Sequence, residues 1–133
     1  MVDLDQVKMV LQGISTLAAL IKLRRESQKK AQEPTPAQID TVLKPRMVSV
    51  VGFQSFAATL QQSTLDAIND VIERARKRFE DALRDPANTK QARDAEEQIA
   101  QSTICGELRR IKRMNGQTLP SEYDSIWTEF ACM

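Results

Sequence analysis

The chain has 133 residues, with 19 Lys and Arg against 18 Asp and Glu, and it contains no histidine. That length fits one domain, and the near-neutral balance supplies no overall pull toward nucleic acid or anionic lipid. Lacking histidine, it has neither the commonest general base nor the commonest zinc and iron ligand, and the 5% aromatic content and few turn formers disfavour a sheet protein.

The first predicted helix covers about 5–30. Val7, Val10, Leu11, Ile14, Leu17, Ala18 and Ile21 recur at helical spacing. Asp3 and Asp5 stand at its start and Lys29 and Lys30 at its end, where the helix dipole favours them. Its last turns carry Arg24, Arg25 and Glu26, so it is expected to begin in the core and run out into solvent. Glu33-Pro34-Thr35-Pro36 stops it. Thr35 then caps a short helix over 36–43, with Pro36 at the first position and Gln38 completing a capping box. Ile39, Val42 and Leu43 give this piece one apolar face, and it ends before Pro45.

From Phe53 to Leu83 the apolar phase holds, through Phe56, Leu60, Ala67, Ile68, Val71, Ile72, Ala75 and Phe79. A single helix over 48–84 follows, with a break at Ser63, capping toward Asp66, as the competing reading. Asp85-Pro86-Ala87-Asn88 reads as a turn. A helix over 89–114 follows, with Ala92, Ala95, Ile99, Thr103, Ile104, Leu108 and Ile111 as its stripe and Gly116 as a left-handed C-terminal cap. The last helix, about 120–131, places Tyr123, Ile126, Trp127 and Phe130 at i, i+3, i+4 and i+7. Four principal helices plus a short connecting helix predict an all-α, antiparallel helical bundle in a single domain.

Cys105 and Cys132 lack metal or redox spacing and read as two reduced thiols of a cytoplasmic protein. The acidic opening Met1-Val2-Asp3-Leu4-Asp5 differs from the basic start of a secretory signal. Gly13, Gly52, Gly106 and Gly116 are isolated, so no phosphate-cradling loop is present. No catalytic, cofactor-binding or metal residue is assigned, and the expectation is a protein that is not an enzyme and uses no cofactor or metal.

Three features stand out as possible contact sites. The first is the stretch Met47–Leu65, which has no ionisable acid or base and carries Phe53, Phe56 and Leu60. With the low-charge run Met9–Ile21 it reads as a buried hairpin, with a partner or oligomer surface and reversible membrane insertion as alternatives. The second is a set of basic clusters. Lys22, Arg24 and Arg25 near one helix end and Arg109, Arg110, Lys112 and Arg113 near another would form an anionic-ligand patch if those helices ran in the same direction. Between them, Arg74, Arg76, Lys77 and Arg78 are laced with acids, giving the i,i+4 pairs Asp70–Arg74 and Glu73–Lys77. The third is the terminal aromatic helix. Tyr123, Trp127 and Phe130 form either a lid on the core or a detachable docking helix. The function expected is a non-enzymatic protein-interaction module (adaptor, inhibitor or immunity-type partner, or assembly subunit) contacting a protein partner or its own copies. A membrane-acting effector is the alternative, and a nucleic-acid accessory protein using the basic helix ends a weaker one.

Overall fold

Apolar residues at helical spacing make α1, Leu4–Lys29, the spine of the molecule: Val7, Val10, Leu11, Ile14, Leu17, Ala18, Leu20 and Ile21 are all buried. The computed structural model describes residues 4–45 and 62–133, and among these the chain is all-α. After α1 come α2, Pro36–Leu43; α3, Gln62–Arg84; α4, Lys90–Met114; and α5, Ser121–Glu129. Phe53, Phe56 and Leu60, and with them the question of one helix or two over 48–84, lie outside the described residues.

Local chemistry sets the helix ends. Thr35 accepts from the Gln38 backbone N–H while the Gln38 side chain accepts from the Thr35 backbone N–H, completing the expected capping box. α4 begins on Thr89, whose hydroxyl accepts from the Ala92 N–H. At its far end Gly116 adopts φ +65°, and the Gln117 N–H reaches back to the Lys112 carbonyl at 2.7 Å. The same reversal closes α1 at Ala31 and α5 at Ala131, both left-handed without being glycine.

The helix directions follow from the contacts. Leu43 lies in one cleft with Met9, Gln12 and Thr16, so α2 folds back along α1. Gly13 faces Ile72 of α3, and a Cβ at Gly13 would stand 3.0 Å from the Ile72 Cγ2 atom, a backbone approach that only glycine permits without adjustment. At the far end of α3, Arg93 of α4 donates to the Asp85 carbonyl at 2.7 Å, and Asp94 meets Arg24 of α1 at 2.8 Å. α1 and α3 therefore run in the same direction and α4 runs against both.

This geometry corrects two expectations. The basic ends of α1 and α4 were expected to share a pole if the cross-strut added no reversal. α2 does add one, so Arg109, Arg110, Lys112 and Arg113 lie along α4 away from Lys22, Arg24 and Arg25. The buried face of α4 also matches the predicted stripe only in part, at Ile104, Leu108 and Ile111. It consists of Glu97, Ala100, Ile104, Cys105, Glu107, Leu108 and Ile111, while Ala95 and Ile99 are exposed. Two acids on the inward face hide its phase from a reading based on apolar residues.

Replacing Gly13 with leucine is predicted to wedge α1 from α3 and destabilise the fold by about 1–3 kcal/mol. Urea unfolding should show a lower midpoint at an unchanged slope; an unchanged midpoint would contradict this packing.

Candidate functional site

The charges nearest the end of α1 turn inward. Arg24 is 1% exposed and binds three carboxylates from two other parts of the chain. Its Nε and Nη2 donate to the two oxygens of Glu33, each at 3.0 Å, in the bidentate geometry specific to a guanidinium. Its Nη1 donates to Asp94 at 2.8 Å and Glu97 at 3.1 Å. Burial alone would push this guanidinium down, but hydrogen bonds to Glu33, Asp94 and Glu97 reverse that and hold its charge more firmly than in water. Asp94 is held below its ordinary range by Lys90 first and Arg24 second. α1 thus stays in the core through Arg24 and Ser27 instead of running out into solvent.

Arg25 extends the cluster. It contacts the Glu97 carboxylate at 3.4 Å, donates to Gln101, and stands over the Phe130 ring at 4.9 Å. Lys22 pairs with Glu129 of α5 at 3.0 Å. In the other basic group, Arg109 donates to the Met133 carbonyl at 2.7 Å, Arg110 lies 3.5 Å from Glu107, and Lys112 stands over Trp127 at 4.5 Å. Arg113 is exposed. The seven residues expected to form an anionic patch are thus divided between two regions, and six of them contact neighbours within the chain. On α3, Asp70 pairs with Arg74 as expected, whereas Glu73 pairs with Arg76 and Lys77 with Asp81.

The terminal helix is a lid. Tyr123 and Phe130 are fully buried, Ile126 nearly so, and only Trp127 retains partial exposure. Each such burial stabilises by roughly 1.5–3 kcal/mol. Burial first and the Glu122 charge second raise the Tyr123 phenol far above its ordinary range, with the Ser15 hydroxyl offsetting part of the effect. Gln101 donates to the Phe130 carbonyl at 2.8 Å.

Beside this contact, Cys105 of α4 and Cys132 are joined in a disulfide, which corrects the reading of two reduced thiols. The left-handed turn at Ala131 brings the chain back toward α4, a proximity that residues 27 apart in sequence do not reveal. In the chain-entropy view, a bridge of this span stabilises by roughly 3–4 kcal/mol.

One opening on the described surface, beside Arg25, Lys29 and Lys90, is lined almost entirely by charged side chains, whereas others have largely uncharged linings. A cleft of about 400 Å³ is lined by Met9, Gln12, Gly13, Thr16 and Leu43, with the mutually paired Glu73 and Arg76 at one side. Met9 is 54% exposed. A shallower depression of about 370 Å³ on α4 is bounded by Gln98, Ile99, Ser102 and Thr103. Among the described residues there is no cluster of three potential metal ligands, and no helix is long and apolar enough to cross a membrane. No family model, curated protein or solved structure matches this chain.

Sequence reasoning missed Glu33, Asp94, Glu97 and Gln101 as partners of the α1 cations. Their only sequence signal is compositional: acids at the start of one helix complement bases at the end of another once the two run antiparallel.

Substituting Arg24 with methionine leaves the buried Glu97 and the more exposed Glu33 and Asp94 without this cation and is predicted to destabilise by about 3 kcal/mol or more at neutral pH. Because Asp94 is depressed in the folded state, its contribution is fully present above the ordinary carboxyl range and is lost as pH falls from that range down through the lowered folded value. The variant's deficit in thermal unfolding should therefore shrink in acid; a deficit independent of pH would contradict the ion-pair account. Glu107 behaves oppositely. Burial raises its pKa, with Arg110 opposing, so its ionisation weakens the fold as pH rises. Glu107→Gln is predicted to match or exceed the parent's melting temperature at neutral pH, with the advantage disappearing in acid; a large loss at neutral pH would show that the carboxylate is needed.

Proposed function

We propose that this chain is a non-enzymatic helical protein-interaction module, acting as an adaptor, an inhibitor or immunity-type partner, or an assembly subunit through protein–protein contact. One observation carries the reading: the charged side chains largely satisfy one another, while the openings beside Met9 and Ile99 are lined mainly by uncharged groups. Arg24 with its three acids, Arg76 with Glu73 and Glu80, Arg78 with Glu96, and Arg84 with Asp40 and Glu80 occupy the cations that a polyanion would need. Exposed Met9 and Ile99 mark the uncharged openings. Such surfaces are cheaply desolvated, and a flexible thioether adapts to varied partners. A cytoplasmic setting remains part of the proposal, and there the Cys105–Cys132 bridge would meet reducing conditions.

The test is affinity purification from the native source, with intact-mass measurement of whatever assembly is recovered. The expected result is a stoichiometric protein partner or a second copy, lost from at least one of the variants Met9→Glu and Ile99→Glu. A lone monomer that instead floats with liposomes would favour the membrane alternative. One that binds polynucleotide with steep salt dependence would favour the nucleic-acid alternative. Either result would overturn the proposal.

A further inference from the structure

The C-terminal segment is fastened in a way that sets it apart from the rest of the bundle. α5 has nine residues, too few for a stable isolated helix, and no side chain caps its N-terminus at Pro120. Its helicity therefore depends on docking. From residues 121–133, Tyr123, Ile126, Phe130 and Cys132 join the common core, with Trp127 packed against it, while the rest of that core comes from the earlier helices. The other fastenings are the Tyr123–Ser15 hydrogen bond, a half-exposed Lys22–Glu129 ion pair, two cation–π contacts and hydrogen bonds to the Phe130 and Met133 carbonyls. Individually these are weak contacts. The single covalent fastening is the Cys105–Cys132 bridge, which has one end on α4, three residues before the buried Leu108, and the other just beyond α5.

From this placement we infer that the Cys105–Cys132 disulfide is a redox latch: a dithiol reductant opens it, and α5 then leaves the groove between α1 and α4 while the remaining helices stay folded. The chemistry is thiol–disulfide exchange. One thiolate of the reductant attacks the Cys132 sulfur, forming a mixed disulfide, and the Cys105–Cys132 bond breaks. The Cys105 sulfur leaves with the electron pair and takes up a proton. The reductant's second thiol then displaces Cys132, so the protein gains two electrons and two protons and the reductant becomes a disulfide. Arg109 lies one turn beyond Cys105 on α4, a cation suited to favour the departing thiolate. Met133, next to Cys132, is 91% exposed and marks the side from which the reductant reaches a bridge whose cysteines are otherwise nearly buried.

Opening also removes the need for Ala131 to hold its left-handed conformation, φ 52°, an arrangement an alanine adopts only at some cost. The segment that leaves carries the molecule's sole tryptophan, and the groove it uncovers is floored by apolar side chains of α1 and α4. The inference concerns the state of this chain alone and stands or falls independently of the interaction reading.

Hydrogen exchange of the full chain, oxidised and after treatment with dithiothreitol, tests it. The expected result is that amides of 121–133 exchange at least roughly a hundredfold faster on reduction, the scale set by losing a bridge of this span. α1 and α3 should keep most of their protection, Trp127 fluorescence should shift toward that of a solvated indole, and reoxidation should restore both. Cys132→Ser should show the open pattern with or without dithiothreitol. Unchanged protection of 121–133 after reduction would overturn the latch. So would equal loosening of α1, α3 and α5, or a bridge that dithiothreitol cannot reduce in the native protein.

Discussion

Arg24 is the constraint around which this bundle is arranged. A guanidinium cannot discard its charge, so wherever it is buried the chain must bring carboxylates to it. Glu33 comes from the turn after α1, and Asp94 and Glu97 from the first third of α4. Meeting all three fixes the reversal that sends the chain back as α2 and requires the start of α4 to lie against the end of α1. Exchanging these ions for apolar groups of similar shape need not lower stability, since buried pairs often roughly break even. Their distinctive effect is on register: sliding α4 by one turn would move Asp94 and Glu97 away and leave the buried cation with Glu33 alone.

That register governs where the rest of the chain can act. With α4 antiparallel to α1, the two basic groups separate, and Glu97 also engages Arg25, which in turn stands over Phe130. The polar cluster and the aromatic lid are therefore continuous, running from Glu33 through Arg24, Glu97 and Arg25 to α5. Cations that would suit a polyanion site instead hold the molecule together, and the two openings beside Met9 and Ile99 are left largely to uncharged side chains such as Thr16 and Thr103.

Much of the fold was legible in the sequence because it rests on local rules. The apolar spacing of α1, the Thr35 capping box, the Gly116 cap and the i, i+3, i+7 pattern of Tyr123, Ile126 and Phe130 depend on residues within a few turns of one another. What was not legible depends on distant pairs. Arg24 looked like surface because its partners lie far along the chain. The face of α4 was misjudged because Glu97 and Glu107 occupy inward positions that an apolar template leaves blank. The disulfide was missed because only the turn at Ala131 brings Cys132 to Cys105. The contact surfaces were the least legible, since they are defined by what the packing leaves uncovered.

The buried, fully engaged guanidinium of Arg24 holds α1 against α4, and an arginine-selective nitrogen–proton spectrum reports on it directly. The Arg24 Nε–H should give a resolved, slowly exchanging signal near neutral pH with close contacts to Glu33, while the Nε–H of exposed Arg74 and Arg113 exchanges rapidly with water. An Arg24 signal exchanging as fast as that of Arg74 would contradict the arrangement of α1 and α4 described above.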